Sequence, residues 1–406
     1  MLDSARIMER CDALARHSEL AGGLTRVFLS PEQKAANELV LGWMKEAGMQ
    51  ASVDAIGNVA GRYEGTSPGQ PCLMLGSHLD TVRDAGRYDG MLGVIAAIEC
   101  VHVLNVQARR LPFAIEVLGF GDEEGVRFGT TMLGSSAVAG RFDPSILQMA
   151  DANGVTMERA LRDFGLDPAR IAGVARRKES VLAYAELHIE QGPVLESEEL
   201  PVGVVTAING YTRLAVTLKG VAGHSGTVPM KLRRDALAGA AECALAVERI
   251  AAAGHELVGT VGRFEASPGA INVIPGEVRF TVDLRASVDA IRMDALARLR
   301  AAFEGIAEVR TLRLDIRELQ SLGVAPCAGR LMAQMDAAVA AEGIRVRRLP
   351  SGAGHDGMVM RSLADICMLF VRCRHGISHN PAESITAQDA GTGARVLLRF
   401  IENFKP

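Results

Sequence analysis

The chain has 406 residues, with 44 Lys and Arg against 48 Asp and Glu and a formal net charge of −4. That length exceeds one comfortable core and predicts two domains, or one large domain carrying an insertion. The near-neutral balance gives no electrostatic reason to bind nucleic acid or an acidic membrane, and no run approaches the roughly 18 apolar residues that span a bilayer. From the N-terminus, Pro31 to Glu46 carries helical spacing through Ala35, Leu39, Leu41 and Met44, and Ala51 to Ala60 and Cys72 to Leu75 read as strands. Gly93 to Leu104 is a small-residue apolar helix, and Phe113 to Phe120 is a continuous apolar run, the pattern of a strand buried on both faces. This alternation predicts an α/β domain with a mostly parallel sheet and helices on both faces.

Near Thr206 the pattern changes. Tyr211 to Lys219 reads as a strand, Leu232 to Ala252 as a helix, His255 to Phe264 and Glu277 to Leu284 as strands, Val288 to Ile306 as a helix and Val309 to Ile316 as a strand. The order β-α-β-β-α-β is the ferredoxin-like motif. After Leu322 the helix and strand alternation resumes, with strands at Ile344 to Leu349 and Ile366 to Val371 and a closing helix from Asp389 to Asn403. The reading is one catalytic domain, residues 1–208 and 323–406, interrupted by a smaller domain over 209–322.

The seven cysteines (Cys11, Cys72, Cys100, Cys243, Cys327, Cys367 and Cys373) are odd in number and form no CxxC pair. They read as small buried hydrophobes in a reducing compartment, and with no signal-peptide core at the N-terminus they predict a cytoplasmic protein.

Metal-competent side chains recur just past the apolar runs. CLMLGSHLD places His78 and Asp80, RYDGMLG places Asp89 before a helix, and AIEVLGFGDEEG places Asp122, Glu123 and Glu124. YAELHIEQGP adds His188, Glu190 and Gln191, and RHGISHNPAES adds His375 and His379. Any one of these is more often ordinary hydrogen-bonded structure or a solvated turn. Five at equivalent topological positions are what a hydrolytic metal site requires. Other templates fail: there is no HExxH, GHSGT and LGSSAVAG both miss GxSxG, and the formal GxGxxG at Gly352 to Gly357 leaves no room for a second mononucleotide half.

HLD, RYDG, DEEG, HIEQGP and SHNPAES together resemble the M20 metallopeptidase superfamily, in its amidase branch of N-carbamoyl amino acid hydrolases, β-ureidopropionases and allantoate amidohydrolases. The resemblance implies two divalent ions per subunit (Zn²⁺ or Mn²⁺, with Co²⁺ or Ni²⁺ as alternatives). It assigns His78, Asp89 and His188 to one and Asp89, Glu124 and His379 to the other. It makes Asp80 the carboxylate that orients a ligand imidazole and Glu123 the general acid/base. GVAGHSGTVPM resembles the motif of a lid and dimerisation domain, whose histidine, here His224, stabilises the oxyanion in the partner's active site. Asn272, Arg285, Gln191 and the Gly354-His355 pair match substrate contacts, with Arg285 expected to clasp a carboxylate. The implied activity is hydrolysis of a ureido group with release of ammonia and carbon dioxide. Asp122 stands where carbamoylases commonly carry Asn, which favours allantoate over N-carbamoyl-L-amino acids or N-carbamoyl-β-alanine. The rival class is a non-catalytic binding protein of the same fold, against which the full ligand set argues.

Overall fold

The computed structural model describes residues 2–406. Its elements begin with α1 (Ser4–Ala15), α2 (Pro31–Glu46), β1 (Gln50–Val53), β2 (Val59–Tyr63), β3 (Cys72–His78), α3 (Met91–Val106) and β4 (Ala114–Phe120). There follow α4 (Leu133–Val138), α5 (Met157–Phe164), β5 (Val181–Ile189), α6 (Val194–Ser197), β6 (Val202–Ile208), β7 (Gly210–Lys219), β8 (Gly223–His224) and α7 (Ala236–Ala252). Next come β9 (Leu257–Ser267), β10 (Val273–Ile274), β11 (Glu277–Ala286), α8 (Asp289–Val309), β12 (Arg313–Leu322) and β13 (Ala325–Pro326). The chain ends with α9 (Gly329–Ala341), β14 (Arg348–Ser351), α10 (Gly357–Met360), β15 (Ile366–Val371) and α11 (Ala387–Asn403).

Two compact units emerge. One runs through Thr206 and takes in Cys327–Leu349 and Ala353–Pro406; the other is Ala207–Pro326 with Pro350–Gly352. In the first, the sheet order β1-β2-β4-β3-β5-β15-β6 has a parallel centre, β4-β3-β5-β15, flanked by antiparallel strands. Every residue of β3, β4 and β15 is buried, as parallel strands covered on both faces must be. The helix α3 is mostly apolar and buried over residues 91–101, with the buried Glu99 paired to Arg6. Local signals set the ends: Ser30 and Thr386 accept the amides of Gln33 and Asp389, capping α2 and α11.

The second unit is a four-stranded antiparallel sheet in the order β12-β7-β11-β9, with α7 and α8 packed on it through Ala240, Cys243, Val247, Leu299 and Phe303. Its element order β7-α7-β9-β11-α8-β12 is the β-α-β-β-α-β motif.

Several expected boundaries shift, and the strand expected over Ile344 to Leu349 lies at Arg348–Ser351. Ala51 to Ala60 is two strands, because the Asp54 carboxylate accepts the amides of Ile56, Gly57 and Asn58 and turns the chain. The helix expected from Leu232 starts at Ala236, where Asp235 caps it. The strand expected from Val309 begins at Arg313, because α8 runs on to an exposed Val309 and the chain reverses at Thr311, φ 54°. All seven cysteines are buried and unpaired. Among the described residues no helix is long and apolar enough to cross a membrane.

Candidate metal centre

The four parallel strands of the first unit end at one edge of the sheet, and their carboxyl ends carry the predicted ligands. β3 ends on His78 and β5 carries His188 one residue from its end; β4 leads into Asp122–Glu124 and β15 into the loop that holds His379. The chain steps from β3 to β4 on one side and returns to β5 on the other, so the crevice opens at a reversal of strand order, where α/β sheets bind ligands. Asp89 arrives from the loop that starts α3.

Asp89 is the hub. Its Oδ1 lies 3.1 Å from His188 Nε2 and 3.5 Å from His78 Nε2, while its Oδ2 lies 3.2 Å from His379 Nε2. That histidine is in turn 3.3 Å from Glu124 Oε1. Two triads therefore share one carboxylate, His78-Asp89-His188 and Asp89-Glu124-His379, each with its donor atoms within 4.8 Å of one another. His78 Nδ1 meets the Asp80 carbonyl at 3.0 Å and His188 Nδ1 the Ile189 carbonyl at 2.9 Å. Both contacts place the ring proton on Nδ1 in the neutral form and leave the Nε2 lone pair facing Asp89. Imidazole nitrogens and carboxylate oxygens in two such groups fit divalent metal ions.

The electrostatics follow from burying acids and imidazoles together. Burial opposes ionisation of Asp89, yet hydrogen bonds from His188, His379 and His78 hold its carboxyl well below the usual range. Hydrogen bonds to Asp89 and Glu124 push His379 up to about 10. Burial works against a proton on His78, but Asp89, Glu123 and Asp80 carry it well above its ordinary value. Glu123, 7% exposed, is pushed well upward by burial and, against the pull of His78, by Glu124, Asp356 and Asp80. A carboxyl shifted in that direction holds a proton more readily, as a group that takes up and returns one must.

Asp80 holds Glu123 and Glu124 in place. Its Oδ1 accepts the Glu123 amide and its Oδ2 the Glu124 amide, both at 3.1 Å, while its carbonyl faces His78. Gly354 brings bare backbone to the same place: a Cβ there would lie 3.9 Å from Glu123 Oε1. Gln191 donates from Nε2 to Asp89 Oδ2 at 2.9 Å and to Ser378 Oγ at 3.2 Å, and its buried Oε1 has no partner among the described residues. His355 is 1% exposed, its ring edge-on to His188 at 4.5 Å; burial and then His188 hold it well below its ordinary pKa. It therefore packs against a ligand imidazole.

The other predicted residues belong to the second unit. His224 in β8 pairs with Val273, and the neighbouring Ser225 donates its amide to the Asn272 carbonyl, so His224 and Asn272 are neighbours. The Gly226 amide donates to His224 Nδ1 at 3.1 Å, which leaves the ring proton on Nε2 in the neutral form. Arg285 faces a cavity of about 620 Å³ that also includes Arg213 and Asp283. Its guanidinium is already engaged by Asp283 through two bonds of 2.9 Å and donates to the Gly352 carbonyl.

Sequence reasoning gave no role in the centre to four acids beside it, one of which, Asp122, it had placed past β4. Glu383, within SHNPAES, accepts the amides of Tyr88 and Asp89 at 2.8 and 3.2 Å, and burial followed by Asp89 pushes it up to about 7. Glu186, two residues before His188, accepts from Ser77 and Tyr184. Asp122 and Asp356 are fully buried, and burial first of all pushes both well upward. The available signal was a carboxylate inside an apolar strand or next to a ligand.

A mixed sheet bearing imidazoles and carboxylates at its carboxyl edge, with a β-α-β-β-α-β unit inserted, defines a metal-dependent hydrolase. The profile of peptidase family M20/M25/M40 matches residues 74–403, and the chain belongs to that family. It is 41% identical to an N-carbamoyl-L-amino acid amidohydrolase of Geobacillus stearothermophilus, over 99% of this chain and 98% of that one. It is also 41% identical to a probable allantoate deiminase of Oryza sativa subsp. japonica, over 97% of this chain and 87% of that one. Among solved structures, an amidase of the hydantoinase/carbamoylase family from Burkholderia multivorans superposes with a TM-score of 0.92 at 34% identity, covering 98% of this chain and 97% of the other.

Proposed function

We propose that this protein is an amidohydrolase that cleaves the C–N bond of a ureido group in a small carboxylate, with allantoate as substrate and ureidoglycine as product, at a centre holding two divalent ions, Zn²⁺ or Mn²⁺. The observation that carries this reading is Asp89, whose two oxygens face separate imidazole sets beside a protonatable Glu123. The ions, when bound, supply Lewis acidity that polarises the ureido carbonyl and acidifies water. His78, Asp89 and His188 would hold one and Asp89, Glu124 and His379 the other. Glu123 accepts the proton of the attacking water and returns it to the departing nitrogen. Cleavage of that bond releases ammonia and leaves a carbamate, which loses carbon dioxide to give the amine, so one water and one ureido group yield an amine, carbon dioxide and ammonia. Gln191 Oε1, an acceptor without a partner, suits a ureido N–H.

From the second unit, the Nε2 proton of His224 suits an oxyanion, and Arg285 and Asn272 hold the carboxylate end. The Arg285 guanidinium would then be shared between that carboxylate and Asp283. We read the enzyme as a cytoplasmic homodimer in which His224 serves the partner's site. Exposed Val221, Met230, Leu232 and Ile271 on that unit support an interface. A second reading, N-carbamoyl-L-amino acids as substrate, is favoured by the match to nearly the full length of the Geobacillus amidohydrolase. Ammonia release from allantoate, N-carbamoyl-L-amino acids and N-carbamoyl-β-alanine, each with Mn²⁺ and with Zn²⁺, decides among them. Turnover confined to a carbamoyl amino acid overturns allantoate; turnover confined to dipeptides overturns the reaction class.

A further inference from the structure

We propose that Glu383 is a positioning residue of this centre: from the loop that carries His379 it fixes the backbone of Asp89, and so ties His379 to the shared carboxylate as ligands of one ion, the one at Asp89-Glu124-His379. The inference rests on the reading of the centre as one that binds two ions.

A carboxylate that serves two ions must be held against displacement toward either. The side chain of Asp89 is held by Ser378, whose Oγ donates to Oδ2 at 2.6 Å, and by Gln191. Its main chain is held by Glu383, 294 residues away, whose Oε1 alone accepts both the Asp89 and Tyr88 amides. Ser378, His379 and Glu383 belong to one short segment, closed by the Glu383 amide on the Asn380 carbonyl at 3.0 Å. One loop therefore supplies a ligand, a bond to the side chain of the shared carboxylate and a bond to its backbone. The fit is close: Glu383 is 4% exposed, and a Cβ on Gly86 would fall 2.1 Å from its carboxyl carbon. Glu383 Oε2 accepts no hydrogen bond among the described residues, so the contacts to the Tyr88 and Asp89 amides are what its polar end provides.

The geometry separates this role from general support of the fold. Loss of Glu383 frees both Asp89 and the His379 loop, while His78 and His188 stay on their strands. The ion at Asp89-Glu124-His379 should suffer far more than the ion at His78-Asp89-His188. Loosening of the whole unit would weaken both alike.

The test is Mn²⁺ titration of chelated, full-length protein, with stoichiometry and stepwise affinity measured for the wild type, Glu383→Ala, Glu383→Gln, Gly86→Ala and the Gly86→Ala/Glu383→Ala double variant. The wild type should bind two ions. Glu383→Ala should weaken the second by about 10- to 100-fold, the range for groups that orient metal ligands, with the first nearly unchanged. Glu383→Gln keeps an oxygen able to accept both amides and should keep the second ion. Gly86→Ala should reproduce the loss without touching Glu383, and should add nothing once residue 383 is Ala. If Glu383→Ala fails to fold, Gly86→Ala and Glu383→Gln still decide. Two tight ions in Glu383→Ala or Gly86→Ala, or equal weakening of both, overturn the proposal while the two-ion reading stands. A wild type that binds fewer than two ions overturns that reading and the proposal with it.

Discussion

Gly90 gives a prediction that can be worked from the coordinates. It caps α3 directly after Asp89, at φ 76° and ψ −53°, where an L side chain is strained, and its amide lies 3.2 Å from His188 Nε2. A Cβ at this position would meet three atoms of the His78 ring at 2.5 Å, nearly an ångström short of ordinary contact. The ring has little room to retreat, because Nδ1 is tied to the Asp80 carbonyl and the ring is 2% exposed. Gly90→Ala therefore combines backbone strain of about 1–3 kcal/mol with overpacking of about 1–3 kcal/mol. Relief comes only by moving His78 or unwinding the first turn of α3. The expected outcome is a lower melting temperature in chelator and loss of the ion assigned to His78, Asp89 and His188. Gly154→Ala is the control, since Gly154 also has positive φ, +78°, with nothing within 4 Å of its Cβ. It should show the strain alone and keep both ions. A Gly90→Ala protein with wild-type metal affinity would refute the placement of His78.

Three further outcomes follow from the same geometry. Glu123→Gln should keep its metal and lose turnover by about 10²- to 10⁴-fold, the range for a general acid/base; a variant retaining most of its rate removes Glu123 from that role. Asp80→Asn turns an NH₂ toward one of the two amides that Asp80 accepts, leaving a buried donor unpaired at about 1–3 kcal/mol, so kcat should fall with melting temperature, and an unchanged kcat speaks against Asp80 as the anchor of Glu123. Because His379 is raised from its ordinary 6.5 to about 10, its imidazolium stabilises the chelated protein in full below about pH 6.5, and that contribution is lost as pH rises through about 10. A metal must displace this proton, so affinity should rise with pH and binding should release protons, seen by calorimetry in buffers of different ionisation enthalpy; binding without proton release would contradict the ligand role of His379.

What the sequence made legible, and what it did not, divides along a physical line. Strands buried on both faces read as mostly apolar runs, unbroken in β15 and interrupted only by Glu116 in β4, so both strands and the polar residues beyond them could be located. The ligands were recognisable because imidazoles and carboxylates are unusual after such runs. Side chains whose work is to hold backbone left no comparable mark: Asp54, which splits β1 from β2, and Glu383, which holds Asp89, are ordinary acids until their amide partners are known. The backbone conformations that aim the site were equally silent. Asp122, Gln191 and His379 all adopt positive φ, at 59°, 58° and 54°, in loops that follow β4, β5 and β15. Non-glycine residues rarely sit there; each costs about 1–3 kcal/mol and persists only where its surroundings impose it. Here the surroundings are identifiable: Asp80 binds the amides just after Asp122, the Gln191 side chain is bonded to Asp89 and Ser378, and His379 lies in the segment that Glu383 closes. The ligand set could thus be read from residue types, whereas its precision depends on carboxylates and amides whose partners lie tens to hundreds of residues away and exist only in the folded chain.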